Sequence, residues 1–311
     1  MLRLRVSLLT FAVMTLLLDA VRGAPTKTIT RKSDPMVVTG QQLADMMGVP
    51  ISHCGLYSMM GGAIRPVPFQ IDEKNGDGVM ALMGPKGKPV HPDDGLWDAN
   101  DELVFMARDF GDKASKGDMP TGCSRVVEIA CTDPVTGGEG WVYCAAFKRP
   151  PQGDFGRYVS YDLSRDYVNA DCYEIGYTPG EMKSYFSTLI LKDNGNTRSA
   201  NLLDRYKFRI NLRLFFSLIS LNRNEDDMRS VLVGYKDGPI RSVRQCSNSI
   251  YLKFGIRSPT SLVDNYYYRD SIEWPTLIKL PFNVSTIASE GLLLACAISI
   301  HATPRRFWWT A

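Results

Sequence analysis

An all-β fold, an antiparallel β-sandwich with one short N-terminal helix, is what this sequence predicts. Three observations carry that expectation. Apolar and polar residues alternate over short runs, as in 206–216, where Phe208, Ile210, Leu212 and Leu214 fall on one face and Arg209, Asn211 and Arg213 on the other. Turn residues break these runs at short intervals, the 311 residues including 26 Gly and 18 Pro. One stretch, Thr39–Met47, has helical spacing, with Leu43, Met46 and Met47 behind a capping Thr. At 44% hydrophobic and 22% charged, the chain has the means to bury a core.

Residues 1–23 have the layout of an export signal. Arg3 and Arg5 precede the apolar run Val6–Leu18, and Val21 and Gly23 are small residues suited to cleavage before Ala24. The run is shorter than the roughly 20 residues a membrane helix needs. No transmembrane span is therefore expected after cleavage, and the expected location is secreted or periplasmic. Of the formal +3 charge, Arg3, Arg5 and Arg22 against Asp19 supply two, which leaves the remainder near +1. That balance gives no electrostatic footing for nucleic acid.

The rest reads as an N-terminal β region, 24–150, with an acidic loop cluster, and a C-terminal β region, 151–311, continuous with the same sandwich. Pro150-Pro151-Gln152-Gly153-Asp154 marks the break. Ala24–Pro35 is polar and reads as a loose lead-in. Val67–Ile71 and Leu103–Ala107 read as a strand pair. Ser124–Cys131 and Trp141–Phe147 read as a hairpin across a Gly-rich turn, with Cys131 and Cys144 as the best-placed pair among seven cysteines, most of which read equally as buried free thiols. Val231–Tyr235 and Ile240–Gln245 form a second hairpin across Lys236-Asp237-Gly238-Pro239. Residues 221–229 read as a solvated charged loop, and Gly291–Ile300 as a buried last strand. Asn283-Val284-Ser285 is a glycosylation sequon.

Two sites are expected. Glu73-x-Asn75-x-Asp77-Gly78 has the spacing of half an EF-type loop, although Gly84 stands where the bidentate Glu would be. With Asp98, Asn100, Asp101 and Glu102 brought up by the neighbouring strand, Asn75 and Asp77 would complete an oxygen-rich calcium set. The same residue types are also what turns are made of. Tyr266, Tyr268 and Trp274, with Arg257 at the edge, form a candidate platform for a sugar ring. No zinc pattern, nucleophile elbow or phosphate loop occurs. The reading leans away from an enzyme.

The strings Pro66-Val67-Pro68-Phe69-Gln70-Ile71-Asp72-Glu73 and Asp98-Ala99-Asn100-Asp101-Glu102-Leu103-Val104-Phe105-Met106-Ala107-Arg108-Asp109 resemble segments of poorly characterised secreted bacterial β-sandwich proteins. Together with Gly234–Val243 they also resemble the mutarotase-like sandwiches associated with polysaccharide lyases. This resemblance implies a supersandwich fold and a binding or accessory role toward polysaccharide or another cell-envelope component. Its alternative is a carbohydrate-active enzyme of lyase or hydrolase type. Residues 79–97 are an insertion relative to the compact form of that pattern.

Overall fold

The structure is a computed structural model and describes residues 3–7, 24–178, 186–193, 197–214, 219–253, 255–274 and 288–300. Strands make up half of it, in antiparallel sheets with few helices, so the all-β expectation holds. No helix among the described residues is long and apolar enough to cross a membrane. The chain divides into two compact units. Unit 1 comprises Met1–Met83, Gly87–Tyr158 and Gly238–Arg241; unit 2 comprises Gly84–Lys86, Val159–Asp237 and Ser242–Ala311. The division falls at Tyr158, shortly past the Pro150-Pro151 break.

Unit 1 holds β1 (Arg3–Ser7), β2 (Pro35–Thr39), β3 (Cys54–Met60), β4 (Ala63–Pro66), β5 (Gln70–Asp72), β6 (Leu82–Met83), β7 (Pro89–Val90), β8 (Glu102–Met106), β9 (Cys123–Thr132) and β10 (Glu139–Phe147). One sheet runs β1-β9-β10-β3-β4, the other β2-β8-β5. The expected pairing of the two acidic-flanked strands is present, with Gln70 opposite Val104 and Asp72 opposite Glu102. Side chains of both sheets enter one core: Val38, Leu103 and Phe105 from the smaller, Leu56, Ile129 and Val142 from the larger. Alternation along β10 sends Val142, Cys144 and Ala146 into that core and Trp141, Tyr143 and Ala145 into a second cluster on the opposite face. A strand buried on both sides reads as an unbroken apolar run, as this one does.

The expected helix is a 3-10 segment, Gly40–Met46, with Leu43 and Met46 buried. Gln42 Oε1 accepts from Thr39 N at 2.9 Å and from Thr39 Oγ1 at 3.1 Å, which fixes its start. Three other expectations need correction. The lead-in is not loose: Thr28 and Ile29 amides donate to Glu139 O at 2.8 and 3.0 Å, and Ile29 is a core residue. Cys131 and Cys144 do not face each other, because Cys131 lies opposite Gly140 and Cys144 opposite Val127. Both are buried free thiols, and burial pushes Cys131 up to about 11. Residues 221–229 are not a solvated loop either; they finish one strand, make the short turn Glu225–Asp227 and start the next, with Glu225 buried against Arg209.

Unit 2 holds β11 (Val159–Asp162), β12 (Tyr167–Ala170), β13 (Tyr173–Tyr177), β14 (Phe186–Asp193), β15 (Thr197–Arg198), β16 (Leu203–Leu214), β17 (Ile219–Asn224), β18 (Met228–Lys236), β19 (Ser242–Lys253), β20 (Ile256–Arg257), β21 (Ser261–Tyr267), β22 (Ile272–Glu273) and β23 (Ala288–Ile300). One sheet runs β11-β12-β13-β14-β15, another β17-β16-β23, and β22-β21-β19-β18 run as neighbours. The expected last strand is β23, antiparallel to β16. The expected hairpin across Lys236–Pro239 is β18 and β19, closed by Lys236 opposite Val243. The sequon at 283–285, most of the expected export signal and the terminal residues 301–311 lie outside the described residues, as do the side chains that would test the two faces of β16.

Gly111 shows how closely unit 1 is packed. A Cβ there would lie 2.2 Å from Met59 O and 2.3 Å from Ser58 Oγ, whereas at Gly76 nothing lies within 4 Å. Gly111→Ala should therefore cost about 2 kcal/mol or more by forcing backbone apart. Gly76→Ala should change stability by under about 0.5 kcal/mol. Urea unfolding of the two variants checks this.

Candidate functional site

The motif segments singled out in the sequence meet in unit 1. Gln70 Oε1 accepts from Ile240 N at 3.2 Å and Arg241 N at 3.1 Å, while its Nε2 donates to Asp72 Oδ1 at 2.6 Å. Arg241 Nε donates to Asp72 Oδ2 at 2.7 Å and Nη2 to Glu102 Oε2 at 2.6 Å, and Lys74 Nζ pairs with the other Glu102 oxygen. Asp72 and Arg241 are buried, at 0% and 4% exposure. The approach requires glycine at 238, where a Cβ would lie 1.9 Å from Gln70 Oε1. An internal ion group of this kind, with its charges matched and its donors filled, holds a turn in place; it offers no open coordination site.

The expected calcium residues divide around that group. Asp101 is fully buried and caps both loops, its Oδ1 accepting from Lys74 N at 3.0 Å and its Oδ2 from Asp98 N at 2.8 Å. Burial pushes its carboxyl up, and the two amides pull it back. Asn100 Nδ2 donates to Asn75 O at 2.8 Å, so the two acidic loops do meet. Asn75 Oδ1 accepts from Asp77 N and Val79 N at 3.1 and 3.0 Å, closing its own turn. Glu102 is committed to Arg241 and Lys74, while Asp77 and Asp98 are exposed. The carboxylates among the described residues whose oxygens gather within 4.8 Å of one another are instead Glu73, Asp93 and Asp94. Three oxygens are about half of what calcium takes. Glu73 Oε1 and Asp94 Oδ1 already accept from Gly95 N and Leu96 N, at 2.7 and 2.8 Å.

The expected aromatic platform in unit 2 is not assembled as one face. Tyr268 is buried at 2% exposure, its carbonyl accepting from Tyr173 Oη at 2.8 Å, so its ring belongs to the core. Tyr266 is half-buried opposite Val243, and Arg257 is exposed opposite Tyr251. Val243 to Tyr251 is eight residues along one strand, roughly 26 Å at about 3.3 Å each, so Arg257 lies too far off to edge the tyrosines. Trp274 is the aromatic member left at the surface, 37% exposed, with its ring 5.1 Å from Phe186. Phe186 in turn contacts Tyr177 at 6.3 Å, and Tyr177 contacts Tyr267 at 6.4 Å.

A lyase-like pairing of arginine with tyrosine does occur, around Arg244, Tyr177 and Tyr267. Arg244 grips Asp166 through two bonds of 2.8 and 2.6 Å, and its guanidinium lies 3.4 Å from the centre of the Tyr177 ring. Tyr177 and Tyr267 share a hydroxyl–hydroxyl hydrogen bond. Arg244 and Tyr267 are 0% exposed, and burial pushes both phenols up. A general base needs the opposite shift and access to substrate.

The sequence reading also missed an open cleft of about 570 Å³ in unit 1, lined by Tyr57, Phe147 and Pro120–Gly122 with Lys148–Gln152. Its aromatic side is a packed group: Tyr57 lies 6.1 Å from Phe147 and 5.6 Å from Phe155, which lies 5.2 Å from Phe69. Lys148 and Arg149 are exposed on the lining, which includes no acidic residue. In the sequence the only mark of this cleft is the Pro150-Pro151 break, which reads equally well as a linker.

No family model, no curated protein and no solved structure matches this chain.

Arg241→Ala leaves Asp72 buried without its cation and should destabilise unit 1 by about 3–5 kcal/mol. The exposed Arg257→Ala should cost under about 0.5 kcal/mol. Thermal and urea unfolding of the two, side by side, check the contrast.

Proposed function

We propose that this chain is an exported β-sandwich binding or accessory module whose ligand is carbohydrate, carried on a polysaccharide or another cell-envelope component. The observation that carries the reading is the unit 1 cleft. Aromatic and proline surfaces suit the apolar face of a sugar ring, and a cationic margin suits an acidic substituent. Lys148 and Arg149 are exposed, with no acidic residue on the lining to neutralise them. The sandwich part of the reading is supported by the core that both unit 1 sheets share. The mutarotase-like part rests on the motif resemblance alone.

The alternative, a polysaccharide lyase or glycoside hydrolase, has less support. It asks for an accessible acid or base near its working pH beside the cation that holds the substrate. Where arginine and tyrosine converge, around Arg244, solvent is excluded and the phenols are shifted away from base strength.

Purified protein screened against acidic and neutral polysaccharides, with binding and product release scored together, tests the proposal. Binding without release is expected. Lys148→Ala with Arg149→Ala should weaken binding of acidic glycans by about tenfold or more, since a charged hydrogen bond contributes about 1.5–3 kcal/mol. The melting temperature should not move, both side chains being exposed. Failure to bind any glycan would remove the carbohydrate reading in both forms.

A further inference from the structure

Unit 1 contains a buried carboxyl with an unusual set of partners. Asp109 ends the one-turn helix Ala107–Asp109 that follows β8, and it is 5% exposed. Its Oδ1 accepts from Tyr158 Oη at 2.5 Å, while its Oδ2 is closed to solvent and has no hydrogen-bond partner. The cations near it, Lys27 and Arg108, favour its charged form and have partners of their own. Lys27, from the N-terminal segment, gives its Nζ to Arg108 O at 2.9 Å and its amide to Asp112 Oδ1 at 2.7 Å. The Arg108 guanidinium lies 5.5 Å from the centre of the Tyr158 ring.

Tyr158 is the far anchor of residues 148–158. The near end of that segment, Lys148–Gln152, lines the cleft. Its middle is pinned by the Phe155 ring between Tyr57 and Phe69. Its end is fixed by the Tyr158 phenol on Asp109 and by Tyr158 N donating to Pro239 O at 2.7 Å.

We propose that Asp109 is a proton-operated latch: the cleft-lining segment 148–158, closed over it through Tyr158, buries this carboxyl, so that taking up a proton there favours the closed form. Opening the segment would return Asp109 to water, where its charged form is stable. Closing it removes that water and leaves one oxygen without a donor, which favours the neutral acid. Burial accordingly raises the carboxyl from 3.8 to about 6, against the opposing pull of Tyr158, the Met106 backbone, Arg108 and Lys27. The closed form thus keeps a proton that the open form releases between about pH 4 and 6. Closing is favoured as pH falls through that window, and the full cost of the buried charge is present above it.

That this segment borders a working cleft rests on the binding reading; the latch itself does not, and the glycan screen and the following experiment fail separately. Amide hydrogen exchange of residues 153–158 is measured at pH 5.0 and 7.5 and corrected for intrinsic rates. In the unaltered protein, protection should be higher at pH 5.0 by about tenfold, since the closed form keeps most of its proton there and almost none at pH 7.5. Asp109→Asn should show equal protection at both values. Tyr158→Phe keeps the carboxyl but removes the donor that favours its charged form, so its transition should move to higher pH. Equal protection in the unaltered protein, a retained pH effect in Asp109→Asn, or an unmoved transition in Tyr158→Phe would each overturn the latch.

Discussion

The structure of unit 1 depends on one buried cation. Arg241 reaches two carboxylates, Asp72 and Glu102, and its backbone amide is taken by Gln70, 171 residues earlier in the chain. A guanidinium at 4% exposure is tolerable only with its charge matched and its donors filled. Both strands of the β5–β8 pair therefore end on it. This explains why Gly238–Arg241 belongs with unit 1 while Asp237 and Ser242 on either side belong with unit 2. Glycine at 238 is what lets the backbone pass Gln70. The hydrogen bonds from Ile240 and Arg241 to a single amide oxygen make Gln70 as necessary as the carboxylates, since a shorter or apolar side chain would leave two buried N–H groups without acceptors.

Much of the fold was legible in the sequence because strand signals are local. The β9–β10 hairpin, the β18–β19 hairpin and the β5–β8 pair each follow from alternation and turn chemistry within about 30 residues. The Thr39 start of the short helix was legible for the same reason. What failed was tertiary. The segment after Ala24 is polar in composition, yet its backbone lies along Glu139 and it contributes Ile29 to the core. Residues 221–229 are rich in charge, yet Glu225 is drawn inside by Arg209 from β16. Polar composition predicts solvation only when no partner waits across the sheet, and that partner is not visible in one dimension.

The site expectations fared differently for a related reason. Tyr266, Tyr267 and Tyr268 are alike in sequence, yet Tyr267 and Tyr268 are core residues and Tyr266 is half-buried. A strand alternates its faces, but a following turn can bury both neighbours, and type alone does not say which ring meets water. The acidic loops were correctly read as neighbours, joined through Asn100 and Asn75 and through Asp101 and Lys74. Their oxygens, however, are largely occupied by backbone amides and cations. Acidic turn residues answer first to the amides around them, and only a surplus of oxygens can serve a ligand.

The carboxyls of unit 1 can be ordered by what meets them once water is removed. Asp72 meets a guanidinium, and Asp101 meets two backbone amides. Asp133 meets Arg31, the Thr136 hydroxyl and the Val135 amide, which hold it below the usual carboxylate range. Asp109 has the Tyr158 phenol as its side-chain donor and keeps one oxygen without a partner, and burial outweighs the pull of that phenol, the Met106 backbone, Arg108 and Lys27. Desolvation acts on all of them, so the difference lies in compensation. A group compensated by a fixed cation or by amides stays charged and acts as a strut. A group whose compensation falls short of its burial sits near the balance between charged and neutral, where a modest change in acidity alters its state. Asp109 is placed where that change bears on Tyr158 and on the chain leading back to the cleft. The same burial that makes its neighbours structural makes Asp109 responsive.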